Sequence, residues 1–521
     1  MRGEMQASGA QRVSIVGERA PIFWGACAAI ALGVLLHFPM LAMAHRMGNR
    51  LAGMPMEAEG WIGMALIAIG VPAAIFGALP RHRVPHGAQA GTSYEAPDST
   101  PLNRWHAGVL LVLILGLVID VMKPATLGFV LPGMRSEYGI DRSTVAWFPF
   151  TALVGTTIGS FVWGWLADVY GRRVSILLST ILFVSTSMCG AMPLFQLNLL
   201  MCFLMGCSAG GMLPVVYTLL AEIMPPRHRS WVLVLVGGTG LVGGYLAASA
   251  AAHAFEPVFG WRVLWLQGFP TGLFLLALAF LIPESPRFLA EQGRQAELAR
   301  MRERFGIVPR SRAPAPPDAE VAARRHGRLT FALVITALAW SFVNFGLLLW
   351  LPSDLQARGY SSALASGILA SSALIALPTI LVAAWTYSRL SSKWTLVGTV
   401  LLTLAGLAGA LLPAPVLSWP PLLVAVIAML IVGTNGMIAV LLPYAAENYP
   451  LGIRGRATGL VAGASKFGGV AVQGFALLGF IPTLGGAALA LVVPMGVSAA
   501  LVAWAGRETR GRSLRELEAS A

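Results

Sequence analysis

Three charged residues stand where charge is expensive. Asp120, Lys123 and Lys466 each fall in the middle of a long apolar run. An ionisable side chain at the centre of a bilayer costs roughly 2.5–3.5 kcal/mol on insertion scales. Of the 36 basic residues only Lys123, Lys393 and Lys466 are lysine, yet both of those in apolar runs are of that kind. A compact ammonium on a flexible stem can release its proton when desolvated, which a guanidinium cannot do. Asp120 precedes Lys123 by three residues and shares its helical face, so one reading is a self-neutralising pair. That reading leaves Lys466 with no anion nearby in sequence. One carboxylate and two ammoniums leave a net charge of about +1, which favours an anionic ligand in a low-dielectric site. Tyr217, Tyr245, Trp340, Asn344, Asn435, Tyr444 and Gln473 are further polar groups in apolar runs. Each can bond a ligand or a neighbouring helix.

The elements that position these residues follow from composition. Charged residues make up 11% of 521 and hydrophobic ones 56%, against about 25% charged in an ordinary soluble protein. Mean hydropathy is +0.73. So few charges cannot build a water-facing surface, and the chain reads as an all-α polytopic membrane protein. A bilayer core about 30 Å thick needs roughly 20 apolar residues per helix. Fourteen runs qualify, at about 22–44, 60–79, 106–132, 144–168, 173–194, 197–223, 230–252, 262–282, 328–352, 364–390, 394–412, 418–446, 456–480 and 484–505. Ala42-Met43-Ala44 resembles a signal-peptidase site, but the run before it is longer than the usual 7–15 or so residues. It is expected to stay as a helix.

The net charge of +13 is not a nucleic-acid footprint, because the arginines cluster in short segments between apolar runs. Those before 22, at 80–105, 168–173, 223–230 and 283–328, and after 505 hold most of them, while alternate loops are nearly charge-free or balanced, as in Arg135, Glu137, Asp141 and Arg142. Positive loops stay in the cytoplasm, so both termini are expected there, in a plasma (bacterial inner) membrane. The expected organisation is an extension with two helices (1–105), a six-helix bundle (106–282), a partly helical cytoplasmic linker (283–327), a second six-helix bundle (328–505) and a tail (506–521). Cys27, Cys189, Cys202 and Cys207 lie inside apolar runs, so no disulfide or zinc framework is expected. No metalloprotease helix, nucleophile elbow or P-loop is present, and the linker is too short for a catalytic domain. Neither an enzyme nor a metal or cofactor site is expected.

A shift of 225 residues lays one segment on another. Glu222 falls on Glu447, Pro225 on Pro450, Arg229 on Arg454, and Gly243-Gly244 on Gly468-Gly469. Same-sense repeats joined by a cytoplasmic linker are the plan of a rocking transporter with its site between the halves. The motifs then resemble one family. Gly164-Trp165-Leu166-Ala167-Asp168-Val169-Tyr170-Gly171-Arg172-Arg173 resembles the loop signature of the major facilitator superfamily. Pro283-Glu284-Ser285-Pro286-Arg287 resembles the close of the sixth helix in its sugar-porter-like members. The resemblance covers 106–505 and leaves out the first two helices. Asp168, Glu222 and Glu447 sit at helix C-termini, where the macrodipole disfavours an anion. Arg172 with Arg173, Arg229, and Arg454 are expected to compensate them respectively, as cytoplasmic latches that break when the halves rock.

Within the superfamily, Asp120-Val121-Met122-Lys123 with Gly128 and Pro132 is similar to the first helix of aromatic-acid/proton symporters. There the motif carries Asp at both ends; here Lys123 replaces the second, Cys202 replaces a fourth-helix Arg, and Lys466 stands for an Arg. The second-half counterpart of the Asp168 loop has Arg389 and Lys393 but no acid between Tyr387 and Thr395. The resemblance implies alternating-access uptake of a small organic anion, with H+ as the coupling ion and Asp120, Lys123 and Lys466 at the site. Proton-driven efflux by antiport, or a neutral-sugar-type porter, are the alternatives. A small-molecule substrate and the lipid bilayer are the expected partners, with no nucleic acid, and the chain is expected to be monomeric. The arginine pattern is checked by single cysteines at Ser99 and Ala315. Both should resist an impermeant thiol reagent in intact cells until the membrane is opened, and labelling of either beforehand would overturn the orientation.

Overall fold

The computed structural model describes residues 19–79, 92–311, 326–449, 451–481 and 483–510, with the backbone path alone at 92–93, 310–311 and 451–455. Among these residues thirteen helices are long and apolar enough to cross a bilayer. They are α1 (Ala20–Arg46), α2 (Ala58–Ala78), α3 (Arg104–Tyr138), α4 (Arg142–Tyr170), α5 (Arg172–Ala191), α6 (Phe195–Ile223) and α7 (Pro226–Phe259). After a shorter apolar helix, α8 (Val263–Ala279), come α9 (Gly327–Ala357), α10 (Ser362–Arg389), α11 (Ser392–Ala410), α12 (Pro420–Asn448), α13 (Leu451–Leu477) and α14 (Leu484–Ala505). The sequence expectation was fourteen full spans. α8 covers the remaining run, and its helix, Val263–Ala279, is shorter than the expected 262–282.

Backbone contact between small residues sets the packing. Without a hydrophobic drive between helices in lipid, close approach supplies the contact energy. Gly155 and Gly159 on α4 meet the backbone of Phe203 and Cys207 on α6, and Gly206 and Gly210 return the contact to Ala152 and Thr156. A Cβ at Gly240, Gly243 or Gly244 of α7 would come within 2.6, 2.8 and 2.7 Å of Leu117, Val118 and Val121 on α3. Gly238 of the same helix lies against Ile380 on α10. α7 is therefore packed on α3 within the first half and on α10 across the interface. α3 runs 35 residues, through Pro124 and Pro132, and stops at Gly139, whose φ of 63° is left-handed. At 1.5 Å per residue it is about 50 Å long and projects beyond the bilayer core.

Halves meet at both ends of this interface. At the linker end, Ser230 Oγ on α7 donates to Glu447 on α12. At the other end, His253 on α7 pairs through Nδ1 with the Ala363 carbonyl at 2.7 Å, and Gly128 on α3 lies against the carbonyl of Leu349 on α9. The linker is partly helical (Pro286–Glu291 and Gln295–Phe305). It then forms a short strand absent from the sequence reading. Val308–Ser311 (β2) pairs antiparallel with Thr92–Glu95 (β1), Glu95 opposite Val308.

α1 and α2 form a hairpin joined by facing glycines, Gly33 and Gly63. α1 breaks near His37, whose Nδ1 pairs with the Gly33 carbonyl at 2.8 Å. The hairpin docks on the first half. Trp24 stacks on Phe280 with ring centroids 5.4 Å apart. In the connecting loop, the Leu51 and Ala52 N–H groups donate to Glu137 Oε1 at 2.6 and 2.9 Å. Glu137 also receives Arg262 Nη2 at 2.7 Å and Trp261 Nε1 at 2.8 Å, with both charged side chains at most 5% exposed. Removing one partner of a buried ion pair costs about 3–5 kcal/mol. Glu137→Ala should lower the thermal unfolding midpoint by that equivalent and make the 47–57 loop cleavable by protease; an unchanged midpoint would show that Glu137 anchors nothing.

Candidate functional site

The three intramembrane charges part company in the folded chain. Lys123 is 1% exposed and its ammonium donates to the Phe183 carbonyl at 2.5 Å, Thr186 Oγ1 at 2.6 Å and Ser187 Oγ at 3.4 Å. It also stands 4.5 Å from the Phe183 ring centroid. These acceptors mark the end of the helix Arg172–Ser185, where a 3-10 turn begins. Last-turn carbonyls lack intrahelical partners and carry the negative end of the dipole, so a cation belongs there. Cys189 and Cys202 are the other ionisable side chains close enough to influence it. Lys123 thus fills the space beside the thiol at position 202, sealed inside the first half.

Asp120 finds a different cation. The basic group whose charge bears on it is Lys466, on α13 of the second half. Among the described residues neither side chain makes a hydrogen bond or a close ion pair. Asp120 is 5% exposed and Lys466 is half-buried. Two groups of opposite sign, on α3 of the first half and α13 of the second, are thus near enough for their charges to bear on one another. With Lys123 bound elsewhere, their sum is zero rather than the +1 expected from sequence.

Four of the other seven polar candidates spend their side-chain bonds inside the protein. Trp340 donates to the Thr434 carbonyl at 2.8 Å, Asn435 Nδ2 to Ile431 at 3.0 Å, and Tyr444 to Arg507 at 2.6 Å. Gln473 accepts from Trp350 at 3.3 Å and donates to the Phe345 carbonyl at 2.6 Å. That carbonyl lies in a π-helical turn, Phe342–Leu347, within α9. Asn344 sits in the same turn, half-buried and without a hydrogen bond among the described residues. The hydroxyls of Tyr217 and Tyr245 are buried with no partner; the first rests on Gly237 and the second ring lies 5.8 Å from Phe129.

At the linker end the loop motifs form two clusters. Arg172 Nη2 bridges Glu222 at 3.0 Å and Asp168 at 3.4 Å. Gly171 has φ 101°, and a Cβ there would strike Glu284 at 2.4 Å. Arg173 turns to the carbonyls of Ala279 and Phe280 at the end of α8, satisfying a helix C-terminus. Gly164 faces open space. Glu222 lies one residue from the end of α6, and Glu447 one residue from the end of α12, as the repeat required. Their compensation differs from expectation. The cation of Glu222 is Arg172, because Arg229 reaches the Met224 carbonyl at 3.5 Å amid the charges of Glu95, Glu447, Asp98 and Glu222. Glu447 accepts from Tyr387 and Thr509, both at 2.7 Å, and from Ser230 of the other half. The side chain of Arg454 lies outside the described residues.

The tail supplies the second-half loop with a carboxylate, the counterpart of Glu284 rather than of Asp168. Glu508 accepts from the Ser392 N–H at 2.9 Å, from Ser392 Oγ at 2.6 Å and from Ser391 Oγ, which caps α11. In the first half Glu284 takes the Arg172 N–H at 2.8 Å and the Arg173 N–H at 3.3 Å, capping α5. The two are 224 residues apart, within one of the repeat offset, which is the signal that would have found Glu508 in the sequence. Burial pushes the Glu284 carboxyl above its ordinary range despite the N–H donations of Ser285 and Arg172. Burial also raises that of Glu508, but the bonds from Ser391 and Ser392 outweigh it and hold it low. On acidification Glu284 protonates first, while Glu508 keeps its charge to lower pH.

A family model described as Major Facilitator Superfamily matches residues 109–473. The niacin transporter NiaP of Acinetobacter baylyi is 27% identical over 81% of this chain and 98% of its own length. The 4-hydroxybenzoate transporter PcaK of Pseudomonas aeruginosa is 29% identical over 78% of this chain and 93% of its own. An inward-open structure of the xylose transporter XylE from E. coli superposes with a TM-score of 0.61 at 18% identity, over 79% of this chain and 99% of that one. That likeness shows the fold alone.

The Asp168 side chain is 76% exposed and touches Arg172, which Glu222 holds independently. Asp168→Asn should leave stability within about 0.5 kcal/mol of the parent and substrate-induced stabilisation intact, while abolishing net transport. Loss of substrate-induced stabilisation in a normally folded variant would place Asp168 in binding instead.

Proposed function

Because the chain belongs to the major facilitator superfamily, we propose that it takes up a small organic anion, an aromatic or other carboxylic acid, together with protons by alternating access. One observation carries this reading. Asp120 and Lys466 are opposite charges on opposite halves, each without a bonded partner. A carboxylate entering between them gains a charge-assisted hydrogen bond from Lys466, and Asp120 is then the group that takes the proton. When both are loaded the site is neutral, which lowers the cost of closing it from water. Names of relatives that carry niacin and 4-hydroxybenzoate support an acid as substrate. In the same reading Lys123 is a packing post, the chain works as a monomer in the inner membrane, and both termini face the cytoplasm.

Uptake of nicotinate, 4-hydroxybenzoate and xylose into proteoliposomes under an imposed proton gradient tests the assignment. An acid should accumulate until a protonophore collapses the gradient; accumulation of xylose alone, or none that needs protons, would refute it. A charge-assisted bond is worth roughly 1.5–3 kcal/mol, so Lys466→Gln should weaken binding about 10- to 100-fold at ~1.4 kcal/mol per tenfold. Lys466→Arg should keep part of the activity. Lys123→Met should change affinity less than about twofold, since its donors never reach the interface. A large loss of affinity there would return Lys123 to the binding site.

A further inference from the structure

Away from the Asp120–Lys466 axis, a cavity of about 460 Å³ opens between α9, α13 and α14. Phe342, Trp350, Phe475, Phe480, Leu491 and Pro494 form much of its wall, and every lining side chain is apolar. The one polar atom near it, Trp350 Nε1, is engaged by Gln473. Phe475 is more than half exposed on α13, a helix long and apolar enough to span the membrane, and Phe480 is likewise exposed in the turn just after it, so the opening faces hydrocarbon. At this size it is in the range of small-ligand cavities, and left empty it would forfeit the dispersion contacts of its whole lining.

One end of the cavity is charged. There it shares Gly346, Trp350 and Ala487 with a crevice that adds Arg142 and Asp354. Arg142 comes from the opposite half, at the start of α4, and its guanidinium stands 5.7 Å from the Trp350 ring centroid. Its Nη2 is buried with no hydrogen-bond partner among the described residues. Asp354 does not satisfy it, being taken by Arg358 Nε at 2.8 Å and the Leu484 N–H at 3.2 Å. Arg135 is close enough for its charge to bear on Arg142 as well. Asp141, next in sequence, is turned onto the Thr144 N–H at 3.1 Å. Three guanidiniums against two carboxylates leave a net positive charge beside an apolar slot, and a buried guanidinium N–H without an acceptor is costly.

We propose that this is a binding site for an anionic membrane phospholipid, one acyl chain in the α9–α13–α14 cavity and its phosphate on Arg142. An Arg–phosphate contact is the bidentate kind that favours guanidinium over ammonium. The lipid bridges the halves, because Arg142 belongs to the first and the cavity to the second. It therefore binds best when this end of the interface is closed, and by linkage it favours that state.

Native mass spectrometry of the full chain, exchanged into detergent with phosphatidylglycerol or phosphatidylcholine of equal chain length, tests this. Phosphatidylglycerol should be retained at least about tenfold better, ~1.4 kcal/mol. Arg142→Gln should remove the preference, Arg142→Lys should keep part of it, and Ala490→Trp, which fills the cavity from its lipid-facing wall, should reduce retention of both lipids. Equal retention by the parent, or a preference that survives both Arg142→Gln and Ala490→Trp, overturns the proposal. Should the variants fold poorly, a phosphatidylglycerol with a photoreactive acyl chain on the unaltered protein decides. Its adducts must fall within 342–350 or 472–494, and labelling confined elsewhere refutes the site.

Discussion

Inside a bilayer no water is at hand to satisfy a polar group, so each must find its partner within the protein or remain for a ligand. That single constraint sorts the polar residues of this chain. Lys123 meets it with three acceptors at a helix end, Gln473 with two partners, Trp340 and Tyr444 with one carbonyl each. Asp120 and Lys466 do not meet it at all. What distinguishes them from Lys123 is the lack of bonded acceptors and donors among the described residues, and the proposed substrate site between the halves rests on this unmet demand.

The same accounting at the linker end shows a two-fold plan carried out with unequal chemistry. Each half takes a carboxylate from the segment after its last helix and sets it on the start of its third, Glu284 on α5 and Glu508 on α11. Each has a second carboxylate at the end of its fourth helix. In the first half that group is held by a guanidinium, Arg172 on Glu222. In the second it is held by hydroxyls, from Tyr387, Thr509 and Ser230. The first cluster lies within one half. The second reaches across, so separation of the halves at this end breaks the Ser230 bond and leaves the first cluster whole.

Spans and loop motifs were legible because they are local: a run of apolar residues or an Asp-x3-Arg spacing carries its meaning without knowledge of distant chain. Long-range partners were not. A shared face left an Asp120–Lys123 pair as one reading, but helical phase says nothing about where a four-carbon stem ends, and Lys123 bonds the Phe183 carbonyl instead. Glu508 and Ser392 are 116 residues apart, and only the repeat offset connects them to Glu284 and α5. The β1–β2 pairing joins residues more than 200 positions apart, with strands too short to show alternation. α8 was read as longer than its helix because hydropathy counts the apolar Phe280, Leu281 and Ile282 that follow its last helical residue.

The N-terminal hairpin has a mechanical meaning. Its anchors, Glu137, Phe280, Pro193 and Val258, all belong to the first half. That half therefore presents a broader outline to the surrounding lipid than its counterpart. A wider body displaces more lipid for a given tilt and meets more viscous drag. In the alternating-access cycle proposed above, the narrower second half is then expected to make the larger excursion, with the first as the keel about which it turns.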